Sequence, residues 1–107
     1  MSKLAEKIKA HYAGVQLGQV VVPEWDLTIY VRPATIGQSS AIMQEADQWH
    51  QACRLIQVRA KDAEGKPLFD QSDFEAMVKY GDTALINRIV GEIVDIGDAK
   101  PEELKKS

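Results

Sequence analysis

A chain of 107 residues with 45% hydrophobic and 27% charged residues has the composition of one ordinary globular domain, neither disordered nor membrane-spanning. Its 13 basic and 16 acidic residues are interspersed and sum to a net charge of −3, so no face reads as a footprint for nucleic acid. The lone Cys53 excludes an internal disulfide, no apolar run approaches the roughly 18 to 20 residues that cross a bilayer, and a start charged at Lys3, Glu6 and Lys7 is unlike a secretory signal, which together lead us to expect a protein of the reducing cytoplasm.

From Ser2 to about Tyr12, Leu4, Ala5, Ile8 and Tyr12 recur at helical spacing among lysines, which predicts a short amphipathic helix. After Gly14 and Gly18, the β-branched segments Gln19–Val22 and Leu27–Val31 flank Pro23-Glu24-Trp25-Asp26, a hairpin pattern. Alternation puts Leu27, Ile29 and Val31 on one face and Thr28, Tyr30 and Arg32 on the other.

Thr35 followed by Gln38 is a capping-box pattern, and Ser39, Ile42, Ala46, Trp49, Cys53, Ile56 and Ala60 fall at alternating four- and three-residue steps. These predict one long central helix from about Ile36 to Ala60. Lys61 to Leu68, with Asp62, Gly65 and Pro67, reads as a turn leading to a short extended piece at Leu68-Phe69. Ser72 with Glu75 is a second capping-box pattern, opening a short helix through Phe74, Met77 and Val78 to Tyr80. Asp82 or Thr83 caps a last helix with a double apolar stripe at Leu85, Ile86, Ile89, Val90, Ile93 and Val94. Pro101-Glu102-Glu103 suits one final turn. The expectation is a mostly helical α+β fold: N-terminal helix, β-hairpin, long central helix and two shorter C-terminal helices. Residues 1–98 form its single domain, and 99–107 a polar, mobile tail.

The only reactive-looking constellation is Asp47, His50 and Cys53 at three-residue steps. Cys53 falls in the apolar seam between Trp49 and Ile56, where a thiol is ordinarily a small inert hydrophobe. Apart from His50 and Cys53 no Cys or His pair has zinc-site spacing, and neither a P-loop nor a G-x-G-x-x-G pattern occurs. Catalysis, cofactor and metal are therefore not expected. The candidates for function are apolar surfaces that could bind protein: Leu4, Ile8 and Tyr12 on the first helix, Trp25 in the turn, Tyr30 on the second strand, and any uncovered length of the central seam. For both tryptophans, burial in the core is the favoured expectation, most of all for Trp49, with a binding role for Trp25 the alternative.

Val20-Val21-Val22-Pro23-Glu24-Trp25 followed by Thr28-Ile29-Tyr30-Val31-Arg32-Pro33 resembles the tail assembly chaperones of long-tailed bacteriophages and prophages. The resemblance continues through Lys61-Asp62-Ala63-Glu64-Gly65-Lys66-Pro67-Leu68-Phe69, the Arg88-Ile89-Val90 helix and the tail Glu102-Glu103-Leu104-Lys105-Lys106-Ser107, and so covers most of the chain in order and spacing. It implies a non-enzymatic morphogenesis factor of the host cytoplasm, absent from the finished virion. Such a factor binds the tape measure protein, keeps that long helical protein soluble and helps recruit the major tail protein. Self-association is a further expectation from the long apolar seam. A small prophage or bacterial adaptor that binds one folded protein partner shares every compositional feature and is the alternative.

Overall fold

A computed structural model describes residues 2–14 and 17–97. The expected polar tail and the final turn at Pro101-Glu102-Glu103 lie outside the described residues. Within them the chain is a mostly helical α+β fold: α1 (Lys3–Gly14), β1 (Gly18–Val22), β2 (Leu27–Val31), α2 (Ile36–Met43), α3 (Gln48–Arg59), α4 (Gln71–Tyr80) and α5 (Thr83–Gly97).

The hairpin forms where alternation required it. β1 and β2 are antiparallel with Val20 opposite Ile29 and Val22 opposite Leu27, and Val20, Val22, Ile29 and Val31 are buried on one face. The turn between them is a 3-10 segment, Pro23–Trp25, closed by the Asp26 amide donating to the Pro23 carbonyl at 3.1 Å. Asp26 then takes the left-handed conformation, φ 52°, which a short polar side chain tolerates. On its outer edge β2 meets the returning chain: the amides of Tyr30 and Lys61 each donate to the other's carbonyl, at 2.9 and 3.0 Å, and Lys61 is bridged in turn to Pro67. Gly65 makes that return tight, with φ 85°, a conformation open to glycine and strained for a residue bearing Cβ. The extended piece expected at Leu68-Phe69 is thus a short ladder around Lys61 and Pro67, continued by the Leu68 amide donating to Ala60.

The central stretch expected as one helix over residues 36–60 is two helices, folded back on each other as α2 and α3. Thr35 and Gln38 form the capping box that opens α2, as their spacing indicated. The break comes from Asp47. Its backbone is extended, and its carboxylate accepts from the amides of Trp49 and His50 at 2.9 Å each, so it starts a new helix instead of continuing the old one. The Gln38 side-chain amide donates to the Val58 carbonyl at 3.2 Å, which ties the start of α2 to the end of α3. In consequence Ile36 and Met43 stand exposed on α2, and only Cys53, Ile56 and Ala60 of the expected seam are buried.

Helix α4 also opens on a different residue from the one expected. Asp70, rather than Ser72, is the cap: it accepts from the Asp73 amide at 3.0 Å while the Asp73 carboxylate accepts from the Asp70 amide at 2.9 Å. Ser72 instead donates its hydroxyl to Asp70 at 2.7 Å, and so strengthens the cap from outside. Arg54 joins α3 to its neighbours. Its guanidinium lies 3.7 Å from the centroid of the Phe74 ring and donates to Glu45 at 2.8 Å and to Gln57 and Gln71 at 2.9 Å each.

Asp82 caps α5 through the Leu85 amide at 2.9 Å, and the stripe Ile86, Ile89 and Ile93 is buried against α3 and the hairpin. Gly18 permits that approach, because a Cβ there would overlap the Ile96 side chain. The core is therefore a sandwich of the hairpin's Val20, Val22, Ile29 and Val31, α3's Ile56 and α5's isoleucines, with Phe74 and Met77 of α4 closing one side.

Candidate protein-binding surfaces

Helix α1 lies outside this core. It has no buried residue, and among the described residues it is not one of the elements packed together. Leu4 is 67% exposed and Ile8 62%, so the apolar stripe legible in the sequence faces solvent. Tyr12, half-buried, is the helix's anchor: the Arg32 guanidinium sits 5.4 Å from its ring centroid. A helix of 12 residues held at one end, without a buried face, is marginal by itself. Burying Leu4 and Ile8 against a partner would stabilise it.

The other two candidates belong elsewhere. Tyr30 is half-buried, and its backbone is engaged by Lys61. Trp25 packs against the core from the turn and meets Phe69 edge-on, with ring centroids 6.0 Å apart. The core expectation for Trp25 is therefore half fulfilled, since one side of the ring lines a cleft. That cleft, of about 260 Å³, lies between the hairpin turn and α4 and is formed by Trp25, Phe69, Asp73, Ala76, Met77 and Tyr80. Phe69 and Tyr80 were not recognised from sequence. The helical spacing of Asp73, Ala76, Met77 and Tyr80 was a usable signal for a shared face, but nothing local indicated that Trp25 would arrive opposite it.

Asp47, His50 and Cys53 come together only in part. The Asp47 carboxylate, already capping α3, also takes the His50 Nδ1 at 2.7 Å, and the His50 and Phe74 rings are 6.2 Å apart. Asp47 is held below the ordinary aspartate value, first by the His50 amide and further by the His50 ring. Cys53 is buried, and burial, reinforced by the Asp47 charge, pushes its thiol up. A thiol kept protonated inside a core is the reverse of an activated nucleophile. Trp49 departs from expectation: it is 38% exposed and lines clefts on either side of α3 instead of filling the core. Among the described residues no group of three or more His, Cys, Asp or Glu side chains is placed to hold a metal, and no helix is long and apolar enough to cross a membrane.

No protein-family model and no curated protein sequence matches the chain. Among solved structures, the fold is shared with the bacteriophage HK97 tail assembly chaperone. The TM-score is 0.55 at 16% sequence identity, and the alignment covers 89% of this chain and 98% of that one. At this identity the likeness establishes a common fold, that of a tail assembly chaperone, over nearly the whole of both chains. The fold expected from the Val-Pro-Glu-Trp and Tyr-Val-Arg-Pro motifs is therefore the fold observed.

Proposed function

We propose that the protein is a non-enzymatic tail assembly chaperone. It acts in the host cytoplasm on the tape measure protein, holding it soluble and helping to recruit the major tail protein, and it does not remain in the virion. The observation that carries this reading is the fold shared with the HK97 chaperone over 89% of the chain, reached independently of the sequence motifs that resemble the same family. The physical character of the surface supports it. A chaperone needs apolar area that is available in the free protein and is surrounded by charge, so that partners exchange without the chaperone precipitating. Helix α1 offers Leu4 and Ile8, both exposed, amid Lys3, Glu6, Lys7 and Lys9. The buried, protonated Cys53 argues against a thiol enzyme.

The test is co-expression with a tape measure protein, the client this reading names. The expected result is a soluble tape measure protein that co-purifies with this chain. A tape measure protein that remains insoluble, with nothing co-purifying, would count against the reading.

A further inference from the structure

We propose that the cleft between the hairpin turn and α4 seats a basic amphipathic helix of the client protein, with one large apolar side chain entering the cleft and Lys or Arg residues beside it facing an acidic rim. This rests on the chaperone reading and gives it a surface distinct from α1.

The shape favours a side-chain anchor. Trp25 and Phe69, edge to face, line it together with Met77, which is buried, and Tyr80, which is 78% exposed. The volume, about 260 Å³, is below the roughly 300 to 1,000 Å³ typical of small-molecule sites, and the lining is aromatic and aliphatic, as at interface hot spots. Ala76, small and exposed in the middle of the α4 face, lets another backbone approach closely. The occupant's conformation follows from hydrogen bonding. The backbone of α4 is satisfied within its own helix and offers no strand edge for an extended partner to pair with, whereas a helix brings its backbone bonds already made and presents side chains to the cleft.

Charge selects among helices. Asp73 lies in the wall, Asp70 one turn before it, and Asp26 directly follows Trp25; among the described residues none of the three forms an ion pair. The Ser72 hydroxyl and the Asp73 amide hold the Asp70 carboxyl below the ordinary aspartate value, so it is ionised at neutral pH. Arg88 neutralises Glu24 through a two-pronged pair at 2.7 and 2.9 Å but is shared with Glu92 at 3.4 Å, which leaves that group net negative as well. Lys79, 5.4 Å from the Tyr80 ring centroid, is the opposing cation. The rim thus favours a basic partner and disfavours an acidic one.

The experiment compares the full chain with its Ala76→Arg and Tyr80→Ala variants, using the co-expressed tape measure protein as probe. Both positions are exposed and both substitutions suit a helix, so the variants should fold, as circular dichroism melts will verify. The expected result is a loss of affinity of about tenfold or more in each variant, with wild-type binding weakening as salt is raised. Folded variants that hold the tape measure protein as tightly as wild type overturn the cleft assignment and leave the chaperone reading standing. Wild type that does not bind at all strikes the reading beneath it, and the cleft assignment falls with it. Self-association of the protein alone, abolished by Ala76→Arg, would give the cleft to a second copy and likewise overturn the proposal.

Discussion

The body formed by the hairpin, α3 and α5 and the outlying helix α1 solve opposite problems with similar sequence patterns. Both α1 and α5 carry apolar residues at helical spacing, yet Ile86, Ile89 and Ile93 are buried while Leu4 and Ile8 face water. The difference lies in what the rest of the chain offers. The buried face of the hairpin and the Ile56 side of α3 supply a surface for α5, whereas α1 has no buried residue and is tied to the body through Tyr12 and Arg32. An amphipathic pattern states what a helix can bury; whether it does so depends on long-range partners.

The contrast can be broken most sharply in the core. Ile89→Ala, at a fully buried position, should cost about 2 to 5 kcal/mol in denaturant unfolding. A loss as small as that of a surface substitution would mean that α5 is not the keystone of the body. Cys53 reports on the same body by chemistry. Alkylation should be slow in the native state and rapid once the chain is unfolded in denaturant. Because burial raises the Cys53 pKa in the fold, its contribution to stability is full below the unfolded thiol value of about 8.5 and is lost as pH rises through the higher folded value.

A smaller effect is expected at the caps. Asp47→Ala should lower the melting temperature by a few degrees, since it orphans two amides at the start of α3. Asp47 and Asp70 both have lowered folded pKa values, so their contribution is present above the unfolded value of about 3.9 and is lost as pH falls through the folded ones. Stability of the Asp47→Ala variant should therefore depend less on pH in that acid range than that of wild type. The smallest effect on stability belongs to α1. Leu4→Ser with Ile8→Ser should change unfolding free energy by no more than about 0.5 kcal/mol while weakening client binding. A collapse of the melting transition in that variant would place α1 in the core and erase the contrast.

The sequence revealed most where the signal was local. The hairpin followed from alternation around Pro23-Glu24-Trp25-Asp26, and the double stripe of α5 matched a helix buried on a wide face. The break before α3 was hidden because the apolar spacing runs through Ala46 to Trp49 undisturbed, and Asp47 read as one part of a reactive trio instead of as a cap. The stacking of Arg54 on Phe74, contributed by another helix, has no local signature. The candidate site divides similarly. Leu4, Ile8 and Tyr12 were visible as a stripe, whereas the meeting of Trp25 with Phe69 and Tyr80 depends on tertiary contacts between segments more than forty residues apart in sequence.

The paired hydrogen bonds between Tyr30 and Lys61 bear on the order in which the chain assembles. The thirty residues between them leave the sheet and return to its edge, so the mouth of that excursion closes only after a large loss of chain freedom. Forming α2 and α3 first, and folding one against the other, shortens the distance to be closed by local steps alone, and the β1–β2 hairpin is local as well. Zipping Lys61 onto Tyr30 and laying α5 across β1, the long-range pairings, are then expected to come late. A chain synthesised from its N-terminus would accordingly wait for α5 before its hairpin acquires a covered face, and until then that face is apolar surface of the kind a nascent chain must shield.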